Sequence, residues 1–254
     1  MARNGEPVIA GNWKMHKGPG QAQSFLREFL DLHPRTERPV LVFPGAVALQ
    51  AAADMTQDRP DVRVGVQNIH WEPKGAFTGE TSAAMARDAG AAVALIGHSE
   101  RRHVFGETDD EVARKVAAAL EHGLDAMVCV GETIDERRAD RVEEVILRQL
   151  DAALEAVPDN ALGRLYIAYE PVWAIGTGET ATPADASAAH GALRERLREA
   201  RGDAGADVPI LYGGSVKPDN AAELLAAPNV DGVLVGGASL DPHDFSRIAA
   251  AGRG

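Results

Sequence analysis

Short apolar runs alternate along the chain with longer stretches in which apolar residues recur at helical spacing. The runs are Pro7–Trp13, Val40–Phe43, Val62–Gln67, Ala92–Ile96, Leu124–Val130, Arg164–Glu170, Val208–Tyr212 and Val230–Val235. Most show little polar alternation, as expected of parallel strands buried on both faces. Ala92–Ile96 is short and alanine-rich, and only its place in the rhythm makes it a strand. Between the runs, Gln21–Leu32 sets Phe25, Phe29, Leu30 and Leu32 at amphipathic spacing. Val112–Leu120, Val142–Leu154, Ser187–Arg198 and Asn220–Leu225 read in the same way. Thr182-Pro183, with Asp185 in the next turn, predicts a helix entry, and Lys217-Pro218-Asp219 another. Gly123 after His122 predicts a helix stop. Eight such alternations, with no Ser/Gly-rich linker between them, predict a parallel α/β sheet. Eight units suggest one closed (β/α)8 barrel domain spanning residues 1–254. A doubly wound open sheet fits the rhythm as well.

Composition narrows the function classes. With 254 residues, 45% hydrophobic and 25% charged, the chain reads as globular and long enough to bury a sizeable core. A formal net charge of -12 argues against general nucleic-acid binding and against attraction to anionic membranes. It leaves room for a locally positive site that takes a small anion. Cys129 is the only cysteine, which rules out an intramolecular disulfide and a cysteine zinc cluster. No apolar run approaches the roughly 20 residues of a membrane span. The N-terminus lacks the basic-then-apolar order of a secretory signal, so a cytoplasmic protein is expected.

If the alternation holds, chemistry belongs at the carboxyl ends of the strands. The sixth run ends on Glu170, followed by Pro171-Val172-Trp173-Ala174-Ile175-Gly176-Thr177-Gly178. Pro171 biases Glu170 toward extended backbone and ends the strand, and the glycines permit positive φ and close approach to a bound group. An acid beside such a flap points to chemistry under a lid; the plainer alternative is a strand edge with a turn. The first run ends in Gly11-Asn12-Trp13-Lys14-Met15-His16, where Asn12 and Lys14 share a face of an extended segment. A lone lysine is also an ordinary solvated charge. The fourth run leads into Gly97-His98-Ser99-Glu100-Arg101-Arg102, setting His98 at a helix start whose positive end lowers a histidine pKa. A capping or packing histidine is the equal alternative. The last two runs end alike, in Gly213-Gly214-Ser215 and Gly236-Gly237-Ala238-Ser239. Two Gly-Gly pairs before helix starts favour a phosphate cradle over two tight turns. Neither a P-loop, a dinucleotide fingerprint nor a metal-ligand spacing is present, so no cofactor and no metal are expected.

Six segments taken together, Gly11–Met15, Gly97–Arg102, Cys129–Thr133, Tyr169–Gly178, Tyr212–Val216 and Val235–Ser239, resemble the triosephosphate isomerase family. The match runs in order from the first strand to the last. That family is itself a standard example of paired acid–base residues and of a closing loop, so agreement on these points carries no independent weight. The resemblance implies a TIM barrel that interconverts dihydroxyacetone phosphate and D-glyceraldehyde 3-phosphate through an enediolate, without a cofactor. By resemblance Glu170 is the base, and His98 is the electrophile that stays neutral at rest. Lys14 is the stabilising cation, Asn12 its neutral partner, and Glu100 a supporting acid. The phosphate falls to backbone N–H groups of Gly176, Ser215 and Gly237, with Gly236 beside them. Residues Pro171, Val172, Trp173, Ala174, Ile175, Gly176, Thr177 and Gly178 match the lid, and Ile175 and Leu234 its apolar cover over Glu170. A homodimer is implied, with Thr78 at the tip of a loop that reaches the neighbouring subunit.

Two positions and one segment depart from the family's commonest pattern. His16 stands where asparagine is usual, Ile69–Pro73 gives the interface loop an unusual approach, and Glu179 replaces a frequent lysine. Three rival readings share the motifs. A related isomerase could act on a four-carbon sugar phosphate, or a Schiff-base aldolase could use Lys14 as nucleophile. A non-catalytic phosphate-binding protein has no need of Glu170 and His98 together.

Overall fold

A computed structural model describes residues 7–37, 39–175 and 181–251. Eight parallel strands close into a barrel in sequence order: β1 (Val8–Asn12), β2 (Val40–Phe43), β3 (Val62–Val66), β4 (Val93–Ile96), β5 (Asp125–Val130), β6 (Leu165–Tyr169), β7 (Ile210–Tyr212) and β8 (Gly232–Val235). The seam closes because β1 pairs on both sides, Gly11 lying opposite Val42 of β2 and Val235 of β8. The open sheet that the rhythm also allowed is thereby excluded. Between the strands lie α1 (Pro19–Leu32), α2 (Leu49–Met55), α3 (Ala83–Asp88), α4 (Ser99–His103), α5 (Asp109–Glu121), α6 (Ile134–Arg138), α7 (Val142–Glu155), α8 (Pro183–Ala206), α9 (Ala221–Ala226) and α10 (Pro242–Ala250).

The unalternating strands reflect two apolar environments. Ala10, Leu41, Phe43, Leu95, Met127 and Leu211 pack with one another in one core, while Ile9, Val40, Val42, Ile96, Val128 and Ile167 belong to the larger core that includes the helices. Successive residues point to opposite faces of a strand, so both parities must be apolar when both faces are covered. In α1 the buried face is Ala22, Phe25, Leu26 and Phe29. Leu32, expected on that face, is 38% exposed because it ends the helix where the chain turns away.

Helix ends follow local chemistry more closely than helix lengths do. Thr182 caps α8 through a reciprocal box with Asp185, and Pro183 takes the first position. The helix runs well beyond the predicted Arg198, broken at Gly202, whose φ of 60° is non-helical. Gly123, with φ 82°, follows the end of α5 as anticipated. Lys217–Asp219 leads into α9 through a turn, with Asn220 as N-cap and its Oδ1 accepting the Lys217 N–H at 2.7 Å. Helices α2, α3, α6 and α10 were not expected, because so few turns are too short for an apolar period to register, whereas α4 begins at Ser99, with His98 as its N-cap, where a helix start was predicted. No helix among the described residues is long and apolar enough to cross a membrane.

One buried histidine ties the outer layer to the barrel. His190 of α8 is fully buried, its Nδ1 lies 3.0 Å from the Asn229 carbonyl oxygen, and its ring meets Tyr169 edge-on. Burial drives its pKa down to about 4. Between pH 6.5 and 4 the unfolded chain therefore binds a proton that the folded chain refuses. Stability present above pH 6.5 is lost as the pH falls through this window. Comparing denaturant unfolding at pH 7.5 and 4.5, the wild type is expected to lose about 2–3 kcal/mol more than His190→Leu does. Equal losses in the two proteins would remove His190 from the acid response.

Candidate active site

The ends of five strands meet at a cavity of about 660 Å³. Asn12 ends β1 and Lys14 follows it, His98 follows β4, Glu170 follows β6, and the two glycine turns follow β7 and β8; Ile175 and Leu234 complete the apolar wall. Glu170 is 2% exposed. Its Oε1 lies 3.0 Å from His98 Nε2, and its Oε2 accepts the Ser99 N–H at 2.8 Å. His98 is also the N-cap of α4, its Nδ1 accepting the Glu100 N–H at 3.2 Å. The capping and the functional readings of His98 are therefore compatible: one nitrogen caps the helix and the other faces Glu170. With Nδ1 occupied as an acceptor, the ring proton belongs on Nε2 and is directed at the Glu170 carboxylate.

The charges in the cavity are coupled. Burial alone raises the Glu170 pKa, but His98, the Ser99 N–H and Lys14 outweigh it and hold the carboxyl below its ordinary range. For His98, burial disfavours the imidazolium, yet the Glu170 charge and hydrogen bond prevail and raise its pKa. The helix-end argument anticipated the opposite sign, since it took no account of a buried carboxylate 3.0 Å away. Lys14 is held with φ 50°, its N–H donating to Asn12 Oδ1 at 3.0 Å and its ammonium pairing with Glu100 at 2.7 Å. Glu100 stands outside the main cavity and half exposed, anchoring Lys14 from the far side.

Two supporting residues carried no role in the sequence reading. Gln67, just past β3, donates from Nε2 to the carbonyl oxygens of Lys14 and Phe43, both at 2.8 Å, and so braces the β1 end. A polar residue closing an apolar strand was the available signal. Glu132, past β5, is fully buried and accepts from Trp173 Nε1 at 2.8 Å and Tyr169 Oη at 3.2 Å. It also receives the Val172 N–H on its carbonyl oxygen at 3.1 Å. Glycine makes room for the carboxylate. A Cβ on Gly131 would sit 1.8 Å from the Glu170 carbonyl oxygen, and one on Gly213 would sit 2.9 Å from Glu170 Cγ.

Other expected features lie elsewhere. Gly176, Thr177, Gly178 and Glu179 fall outside the described residues. Pro171 has φ -64° and Val172–Ala174 forms a single helical turn. Ser215, Gly236 and Gly237 line the cavity, and a Cβ on Gly237 would meet nothing within 4 Å, leaving its backbone open. Thr78 lies exposed, beside a separate depression that includes His70, Trp71 and Phe77. There the unusual Ile69–Pro73 segment is ordered by aromatic contacts: His70 lies 4.2 Å from Trp71 and 4.3 Å from Phe77, and Arg114 covers Trp71 at 4.1 Å. His16 is exposed at the cavity mouth.

Comparison with known proteins matches this arrangement to one family. The model of the triosephosphate isomerase family covers residues 7–252. The chain belongs to the triosephosphate isomerase family. It is 51% identical over 244 residues to the triosephosphate isomerase of Chloroflexus aurantiacus, covering 95% of this chain and 97% of the relative. The Roseiflexus castenholzii enzyme is 50% identical over 244 residues, covering 95% and 96%. Among solved structures, triosephosphate isomerase from Bartonella henselae superposes with a TM-score of 0.87 at 42% identity, covering 96% of this chain and 98% of that one. All the cavity residues named above fall within the span that the family model matches.

Proposed function

We propose that the chain is a cofactor-independent isomerase interconverting dihydroxyacetone phosphate and D-glyceraldehyde 3-phosphate. The observation that carries the reading is a buried Glu170 carboxylate 3.0 Å from His98 Nε2, in one cavity with Lys14 and two glycine turns. The phosphate dianion is held by the backbone N–H groups of Ser215 and Gly237, and Gly176 joins them from the lid, Pro171–Gly178. Glu170 removes a proton from the carbon beside the carbonyl, and the electron pair moves onto oxygen to form an enediolate. The Nε2–H of His98 and the Lys14 ammonium, with Asn12, stabilise that oxygen. Returning the proton to the neighbouring carbon completes the isomerisation, with His98 moving protons between the two oxygens.

Substrate seated between Glu170 and His98 separates the pair and removes the contact that raises the His98 pKa. The Glu100 N–H on Nδ1 then keeps the ring neutral. Covering the site with Ile175 and Leu234 strips water from Glu170 and strengthens it as a base. The Lys14 Nζ is engaged by Glu100 at 2.7 Å, which favours a stabilising role over Schiff-base chemistry.

A cytoplasmic homodimer is the proposed form. A depression of about 180 Å³ lies on the outer side of Asn12, Lys14 and His98, rimmed by Met15 at 97% and Phe105 at 68% exposure. The exposed Thr78 loop of a second copy is assigned to it. A coupled assay is expected to show turnover of both triose phosphates, with a specificity constant roughly tenfold or more above those for four-carbon sugar phosphates. Sedimentation equilibrium is expected to give twice the chain mass. No turnover would overturn the isomerase reading, a preference for four carbons would reassign the substrate, and a monomer would remove the dimer.

A further inference from the structure

Arg137, in α6, touches three groups that flank the proposed base. Its guanidinium lies 4.6 Å above the ring of Trp173, in the turn that follows Glu170. Its Nη1 is 3.5 Å from Oε1 of Glu132, the same oxygen that accepts the Trp173 and Tyr169 hydrogen bonds. Its Nη2 donates to Asp185 Oδ1, while Asp185 Oδ2 closes the capping box with Thr182 at the start of α8. One planar cation thus spans the β5–α6 loop, the turn after β6 and the first turn of α8.

These contacts are not interchangeable surface pairs. Glu132 is a fully buried carboxylate whose Oε2 has no hydrogen-bond partner among the described residues. Its charge needs a counter-ion, and Arg137, with 29% side-chain exposure, supplies it. Glu132 in turn holds Trp173 through its side chain and Val172 through its carbonyl oxygen. The backbone of Glu170 is pinned in the same place, its N–H donating to Val130 at 2.8 Å. A planar guanidinium can stack on the indole and still direct separate N–H groups at two carboxylates; an ammonium cannot do all three.

We propose that Arg137 is a positioning residue for Glu170, holding the Pro171–Ala174 turn between Glu132 and Asp185 so that the carboxylate is presented in reacting register. The proposal rests on the isomerase reading above. It makes no contact with substrate necessary: Arg137 acts through Trp173 and Glu132.

Removing Arg137 alone leaves Glu132 buried without its counter-ion, so the test uses Arg137→Met in a Glu132→Gln background, whose amide oxygen still accepts from Trp173 and Tyr169. Asp185→Asn is the second variant; it breaks the ion pair and retains a capping oxygen. Each is expected to lower kcat by about tenfold, a part of the roughly 10²-fold that a misplacement of about 1 Å costs. KM for the triose phosphates should move less than about twofold, since the glycine turns after β7 and β8 are untouched. Combining Arg137→Met with Asp185→Asn in the Glu132→Gln background should lower kcat no further than Arg137→Met does there, as expected of groups that act as one unit. Arg137→Lys should recover only part of the rate. Wild-type kcat in the Asp185→Asn variant overturns the proposal whether or not the Arg137 variants fold, and so does a rise in KM with kcat unchanged. An inactive wild type instead overturns the isomerase reading, which keeps the two failures distinct.

Discussion

Glu170→Gln is expected to fold normally and to lose on the order of 10³-fold or more in kcat, measured in a coupled isomerase assay. The substitution keeps the side chain's length and its hydrogen bond to the Ser99 N–H, which reaches Oε2 at 2.8 Å, and removes the capacity to accept a proton from carbon together with the acceptor that faces His98 Nε2. Glu170→Asp separates placement from basicity. It retains a carboxylate and withdraws it by about 1 Å, for which a loss of roughly 10²-fold is expected. The Glu170 backbone and Cγ lie so close to Gly131 and Gly213 that neither glycine has room for a Cβ, which leaves the cavity little means of compensating. A Gln variant with wild-type kcat would remove Glu170 from the chemistry. An Asp variant with full activity would show that carboxylate position does not limit the rate.

The second large effect is expected of Lys14→Met, with kcat/KM falling by about 10²–10³-fold, the range for losing one charged stabiliser of a developing oxyanion. Both parameters should move: kcat because the enediolate carries more charge than the substrate, and KM because the dianionic substrate already feels the ammonium. The protein's formal net charge of -12 makes this local cation count for more. Steady-state kinetics at constant ionic strength decide the matter. A rise in KM with kcat untouched would confine Lys14 to binding, and no change in either would return it to the solvated charge that a lone lysine usually is.

The fold was legible because both parities of most strands are apolar and the units repeat eight times in order. The short helices were not, since six residues such as Ala83–Asp88 hold too few turns for a period to show. Site residues at strand ends were legible for a related reason: a barrel brings those ends together wherever they fall in the chain. Asn12, Lys14, His98 and Glu170 are separated by up to 158 positions and share one cavity. Gln67, Glu132 and Arg137 escaped notice because their roles are relations. Nothing local marks Gln67 as the donor that ties Lys14 to Phe43, or Arg137 as the cation over Trp173.

The same division explains His98. Its place at a helix start was local and readable, and so was its capping geometry. The direction of its pKa shift was not, because that depends on a carboxylate 72 residues away that folding brings to 3.0 Å. The sequence by itself determined the eight strand–helix units and the residue types at their strand ends, since apolar period, proline and glycine act over a few residues; closure of the barrel came from the pairing of β1 with β8. Tertiary structure alone decided which buried charge answers which, because electrostatics at 3 Å depends on distance in space and not on order along the chain.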